Sequence, residues 1–427
     1  VNEAGPVIVF ANFLSDLAVD LGEGHVLEQW AHQAPRKAWL LRPQDVFVTP
    51  GALSREFLTY VAEHTGVAVG RATVVEVPPA GAVALAQAVR QAGLVEQVRV
   101  LARALEGAAL LPTALDASTL GFARDLAVTV HPYPTIDAAA GALSAAMLLN
   151  TKAGFRDAAE QVDMRLPAGR VCRRPEVETV VREMLQQYER VVVKPDRSAA
   201  GHGLRFVGRD DLATAGLVLD PVGGPQGVWV VEECVDVAES VSIQMENSSS
   251  GTRALFSGAM RTVRGSFTGY ASPLPPSCAH VAGELREWGM KLGRHLSDLG
   301  YLGPFGLDAL VAADGVLYAS ESNVRRTATT TPHAMVTRLT AGSSNAQPAW
   351  SVSKGRTLRP LGFEDALRRL RQRELAFDPA RGEGVVLYAD APPDGHSWRY
   401  AVIAAHADGV REREEGVAQA LVLEAGA

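Results

Sequence analysis

The sequence predicts a mixed α/β and α+β chain in three stretches: a helix-covered parallel sheet over residues 1–145, paired strands over 146–342, and a small α+β module over 343–427. Three observations predict it. Short β-like runs alternate with Ala/Leu-rich runs through the first third, as strands and covering helices do in a parallel sheet. The middle third carries strand–turn–strand signals, including Asp314-Gly315, the dipeptide of a tight hairpin. Finally, 47% hydrophobic against 21% charged residues over 427 positions supply core for two to four domains and exclude a chain disordered throughout.

In order, VIVFANF (7–13), DVFVTPG (45–51), ATVVEVP (72–78), VRVLAR (98–103) and LAVTVHP (126–132) are predicted as strands, with helices over 51–66 and 80–93. No GxGxxG follows the first strand, so a dinucleotide fingerprint is absent. The run GSSNAQP (342–348) reads as a linker or long loop. Beyond it lie a helix over 363–375 and two strand-like runs, GVVLYAD and YAVIAAH.

The 41 Lys+Arg and 48 Asp+Glu residues give a formal charge of −7, which argues against a nucleic-acid partner needing a positive field. The apolar run 138–149 is well short of a membrane span. Cys172, Cys234 and Cys278 are odd in number and widely spaced, so neither a disulfide framework nor a zinc site follows. A reducing cytoplasm fits. The opening VNEAGPVIVFANFLSDL lacks a basic lead and is a poor signal peptide.

The most informative segment is GPFGLDALVAADGVLYASESNVRR (303–326). A two-residue turn at Asp314-Gly315, with positive φ at both, would place Asp308 opposite Glu321 and Gly306 opposite Asn323. Period two then puts Gly306, Asp308, Leu310 and Ala312 on one face with Leu317, Ala319, Glu321 and Asn323. Opposed Cβ atoms lie about 5 Å apart. Two bare carboxylates at that separation repel by about 3 kcal/mol at an effective dielectric near 20. A divalent cation removes the penalty. Mg²⁺ takes one or two carboxylates plus water and phosphate oxygens. Asn323 offers a third oxygen, and Gly306 leaves room for a ligand. The alternatives are a solvated hairpin and a carboxyl pair sharing a proton.

ERVVVKPDRSAAGHGLRFVG (189–208) reads as strand, small-residue loop and strand. Ser198, Gly201 and Gly203 lack bulk, so their backbone can approach an anion closely. The segment suits a flap over a triphosphate, with Lys194 near the phosphates. Its alternative is a plain hairpin with a snorkelling lysine. Lys152, at the start of a helix, is a second cation for the same phosphates. In GVWVVEECVDVAESVSIQ (227–244), the stretch Glu232, Glu233, Cys234, Val235 can offer backbone groups to adenine, and Glu239 can accept from ribose hydroxyls. An acidic turn explains these residues equally well.

Lys152 after an Asn, VVVKP with its glycine loop, VVEECVD…E and D-x₁₂-E-x-N, in this order, resemble the ATP-grasp superfamily of carboxylate–amine ligases over roughly residues 146–335. The resemblance implies a Rossmann-like pre-ATP-grasp domain, then an ATP-grasp fold with a flap subdomain at about 189–236. It implies ATP and Mg²⁺ as cofactors. Lys152 and Lys194 would hold phosphates, residues 232–235 adenine, Glu239 ribose, and Asp308, Glu321 and Asn323 the metal. In layout, and in ESNVRRTATTTPH, the chain looks most like pheganomycin-type peptide ligases, which join a carboxylate to the amino end of a peptide. D-alanine–D-alanine ligases carry an arginine two residues before the metal aspartate; Gly306 stands there. Arg325 or Arg326 is therefore expected to stabilise the oxyanion, with Arg261 or Arg264 as second choice. The implied partners are a carboxylate and an amine or peptide; exposed sheet edges leave room for a homodimer. Competing readings are an ATP-grasp kinase and a non-catalytic nucleotide-binding regulator.

Overall fold

The computed structural model describes residues 5–13, 15, 17, 33–67, 73–81, 83–198, 203–215, 217, 219, 226–263, 266–343 and 347–424. Its first sheet holds β1 (Val7–Phe10), β2 (Val46–Pro50), β3 (Thr73–Val77), β4 (Ala109–Pro112) and β5 (Thr129–Val130), all parallel, in the order β3-β2-β1-β4-β5. Alternation along the strands feeds two cores. Ile8, Phe10, Val46, Val48 and Leu110 pack on one side with Val89 and Phe122. Val7, Val9 and Phe47 face the other, against Trp39, Phe57 and Tyr60. Burial on both faces is why these strands read as near-continuous apolar runs. The strand order reverses at β1, opening a crevice beyond the carboxyl ends of β1 and β4, where such sheets bind ligands.

Residues 98–103 are not the predicted strand. They lie in the helix Val95–Arg103, and β4 is the strand instead. Val98 and Ala102 are buried whereas Val100 is 56% exposed, a helical rhythm that outweighs the β-preference of valine. The helix predicted over 51–66 begins at Arg55, because Ser54 caps it by accepting from the Phe57 N–H at 3.1 Å. The one predicted over 80–93 runs Leu85–Gln91.

Four antiparallel strands form the second sheet: β6 (Gly169–Arg173), β7 (Arg190–Pro195), β8 (Arg205–Gly208) and β9 (Val228–Glu233), in the order β6-β9-β7-β8. The third sheet has eight strands: β10 (Val237–Ser248), β11 (Gly251–Val263), β12 (Ser266–Ser272), β13 (Gly303–Ala312), β14 (Leu317–Asn323), β15 (Ala349–Arg356), β16 (Gly384–Val386) and β17 (Ser397–Ala404). Their order is β14-β13-β10-β11-β12-β15-β17-β16. The strands of the C-terminal stretch thus hydrogen-bond onto β12 and extend the large sheet. Helix Ala282–Asp298 packs on β10 and β11, closely enough that a Cβ at Gly293 would sit 2.3 Å from Thr252 Cγ2. Among the described residues, no helix is long and apolar enough to cross a membrane.

Candidate active site

Both antiparallel sheets, together with Asn12 and Thr113 at the ends of β1 and β4, line one cleft of about 1030 Å³. Of the residues singled out from the sequence, Lys152, Lys194, Ser198, Glu232, Glu233, Val235, Glu239, Asp308, Glu321, Asn323, Arg325 and Arg326 all line it. Gly203 is buried beside the flap with φ +73°, but is not part of the lining. Gly201 lies outside the described residues.

In the hairpin β13–β14, Asp308 pairs with Glu321 and Gly306 with Asn323. The turn that achieves this differs from the one predicted. Ala312 bonds Val316 across a three-residue loop, and of Asp314 and Gly315 only Gly315 has positive φ, +85°. That longer loop shifts the register by one, and a bulge that skips Ser320 shifts it back before Glu321. The near half of β14 is therefore turned over. Leu317 and Ala319, expected on the carboxylate face, are fully buried on the other side with Leu307, Ala309 and Val311. The room above Gly306 is also taken: a Cβ there would lie 2.6 Å from Gln244 Nε2, and Thr327 Oγ1 donates to Gln244 Oε1 at 2.9 Å.

Burial pushes the Asp308 carboxyl well above the usual aspartate range, and the charge of Glu321 adds to this. Burial also acts upward on Glu321, but the Lys152 and Lys194 ammoniums and Arg325 outweigh it and hold that carboxylate low. Asn323 Nδ2 donates to Asp308 Oδ2 at 2.9 Å. The pair thus favours the charge on Glu321 and the proton on Asp308, and a cation can take the place of that proton. Among the described residues, no three His, Cys, Asp or Glu side chains cluster as a metal cage. Two carboxylates and an amide oxygen on a cleft wall fit Mg²⁺, which fills its shell from water and phosphate.

Lys152 opens the helix Lys152–Gln161, capped by Thr151 accepting from the Gly154 N–H at 3.0 Å. The Lys152 and Ala153 N–H groups donate to the Asp196 carbonyl (3.0 Å) and to Asp196 Oδ1 (2.8 Å), tying this helix start to the loop after β7. The Lys152 ammonium lies 3.0 Å from Ser198 Oγ and 3.5 Å from Glu321 Oε2. Lys194 forms an ion pair with Glu232, which also takes Arg156 Nη1 at 2.8 Å. All three residues are buried. The carboxylate of Glu232 therefore spaces two cations and is not a free ligand. Arg156 escaped the sequence reading, although its spacing of four from Lys152 puts both on one helical face.

The segment after β9 narrows the backbone groups available. The Glu233 N–H donates to the Ala168 carbonyl at 2.8 Å and the Cys234 N–H to that of Arg190 at 3.0 Å. The Val235 N–H makes no hydrogen bond among the described residues. Glu239, half-buried, is raised above the usual glutamate range by desolvation. Burial raises the Cys234 thiol as well, which keeps it protonated and unreactive.

Arg325 donates to Asn150 Oδ1 and lies in the field of Glu321 and Asp308. Arg326 donates its backbone N–H to the Thr113 carbonyl at 2.9 Å; its guanidinium has no side-chain hydrogen bond or ion pair among the described residues. Arg261 is bound at both terminal nitrogens by Glu414 (2.7 and 2.9 Å), which removes it from the expected oxyanion role. Arg264 lies outside the described residues.

A parallel sheet followed by two antiparallel sheets that enclose a lysine- and carboxylate-lined cleft is the architecture of ATP-grasp enzymes. Comparison with known proteins agrees: residues 34–128 match the model of the Pre ATP-grasp domain, and residues 365–417 that of the PGM1 C-terminal domain. No curated protein matches the sequence. Among solved structures, the ADP complex of an N5-carboxyaminoimidazole ribonucleotide synthetase is 12% identical, with a TM-score of 0.59 over 98% of this chain and 97% of that one. The same synthetase from Thermus thermophilus gives 12%, 0.58, and 97% and 98%. Biotin carboxylase from Campylobacter jejuni gives 12%, 0.58, and 98% and 92%. At these identities the likeness is one of fold: the chain carries a pre-ATP-grasp domain and has the ATP-grasp fold.

Proposed function

We propose that this protein is an ATP-dependent carboxylate–amine ligase, with residues 1–145 as pre-ATP-grasp domain, 146–342 as catalytic domain and 343–427 as the module that completes the cleft. The observation that carries the reading is Asp308 facing Glu321 while Lys152 touches both Glu321 and Ser198 of the flap. A regulator needs no such meeting of paired acids, a lysine and a flap. In this reading Lys152 and Lys194 neutralise phosphate charge, the free Val235 N–H donates to the adenine edge, and Glu239 accepts from the ribose. Asp308, Glu321 and Asn323 would hold Mg²⁺, which supplies charge neutralisation at the transferring phosphoryl group.

A substrate carboxylate oxygen bonds to the γ-phosphorus of ATP as the bond to ADP breaks. An amine then adds to the acyl carbon, its proton is lost, and phosphate leaves with the C–O bond electrons, giving an amide. Arg326, with its donors uncommitted, stabilises the oxyanion, and Arg325 steadies the carboxylate side. Ser198 and the flap exclude water from the activated acid. The pheganomycin-type layout supports an amino acid or the amino end of a peptide as the amine. The test is ADP release from the full chain with acids and amines offered singly and in pairs. Release that needs both partners is expected; ATP-dependent phosphorylation of a hydroxyl, with no need for an amine, would replace the ligase by a kinase.

A further inference from the structure

The cleft holds a second group of charges that the proposed ligation does not use. Lys354 on β15 and Arg399 on β17 are direct cross-strand partners, and both line the cleft. Like charges in directly opposed positions destabilise a sheet. Arg36, in the 3₁₀ turn Ala34–Leu40, lines the cleft from the parallel-sheet domain. It is 2% exposed, its guanidinium lies 4.5 Å from the centre of the Phe13 ring, and its Nε finds no acceptor among the described residues. Burial pushes it down to about 10, with Arg399 adding to this and Tyr388 opposing. Lys354 is pushed down to about 8 by burial, then by Arg399 and Arg36; its only hydrogen bond among the described residues is to the Phe267 carbonyl at 3.0 Å. No carboxylate among the described residues pairs with any of the three cations. Arg36 is a cation taken out of water without a counter-charge, which is costly, whereas Lys354 is exposed and Arg399 half-buried; an anion entering the cleft would answer the charge of all three.

We infer that Arg36, Lys354 and Arg399 bind the phosphoryl group of a substrate that reaches back to the Asp308–Glu321 end of the cleft. Three cations suit a dianion with several equivalent oxygens, each able to accept a charge-assisted hydrogen bond. A lone carboxylate would leave two positive charges unanswered. The inference rests on the ligase reading only in calling the ligand a substrate; anion binding itself needs no turnover.

The experiment is calorimetric titration of the full chain with inorganic phosphate at neutral pH, without nucleotide. Arg399→Ala and Lys354→Met should each weaken phosphate about tenfold or more, and acetate should bind wild type about tenfold less tightly. Lys354→Arg, which keeps the charge, should retain binding, separating charge from fold; circular dichroism melts check each variant. Unaltered affinity in the Arg399 and Lys354 variants would overturn the subsite. Acetate binding as tightly as phosphate would overturn the phosphoryl assignment. A chain that binds phosphate as described yet never releases ADP refutes the ligase reading and leaves the subsite standing.

Discussion

At one end of the cleft Lys194 and Arg156 share Glu232, and Lys152 faces Glu321; at the other, Arg36, Lys354 and Arg399 face one another with no acid between them. The two ends have similar residue types and opposite electrostatics. Where every cation touches a carboxylate, the charges are held in fixed places before any ligand arrives, which is what positioning requires. Where none does, the local field stays positive until a ligand cancels it. The first arrangement favours precision at the reacting centre, the second affinity for an anion.

The strongest way to break the comparison is at the paired acids. Asp308→Asn or Glu321→Gln should cut ADP release at least about a thousandfold by removing a proposed metal ligand. Asp308→Asn should also raise the melting temperature of the metal-free protein near neutral pH. The native carboxyl keeps its proton above the usual aspartate range. The unfolded chain therefore releases that proton first, and stability falls as pH rises from the ordinary value through the raised one; the asparagine abolishes this slope. Full turnover in either mutant would remove the metal assignment.

Next comes the buried triad. Glu232→Gln strands Lys194 and Arg156 without their shared counter-charge and should cost about 3–5 kcal/mol in urea unfolding. A loss near zero would mean that water already screens both cations, erasing the contrast with the far end.

A smaller effect is expected from pH at the uncompensated end. Lys354 gives up its proton near 8 when folded but near the ordinary lysine value of 10.5 when unfolded. Between those values the unfolded chain binds more protons, so this group makes stability rise with pH across that window. Lys354→Met should flatten that rise in melting curves taken from pH 8 to 10, and added phosphate should flatten it in wild type.

The smallest effect is the most direct exchange of the two designs. Lys354→Glu places a carboxylate opposite Arg399 and should stabilise the protein by about 0.2–1 kcal/mol while abolishing phosphate binding. A destabilised variant would show that the cations at this end are already balanced.

Much of the acid-lined end was legible because it is local. Asp308 and Glu321 sit thirteen residues apart around one turn, and hairpin register follows from turn position. The pairing was reached through the wrong turn, since a three-residue loop and a bulge past Ser320 offset each other. Leu317 and Ala319 betray the difference, because a one-residue shift exchanges the faces of a strand. The valines of 98–103 misled for a related reason: residue preference is weaker than burial rhythm, and only packing showed which rhythm the segment follows. Gly306 misled because an absent side chain says where space exists, not which neighbour fills it; Gln244 comes from another strand.

From its own order of residues the chain determined which elements form, which acids face each other across one turn, and which positions carry charge. These depend on hydrogen bonds and periodicities that span a few residues. Only the tertiary structure decided which charges are compensated. Glu232 meets Arg156 across 76 positions, while Lys354 on a strand of the large sheet and Arg36 in a 3₁₀ turn of the parallel-sheet domain pair with no acid among the described residues. Electrostatic partnership depends on separation in space and on local burial, and for residues so far apart along the chain both are set by how the sheets pack.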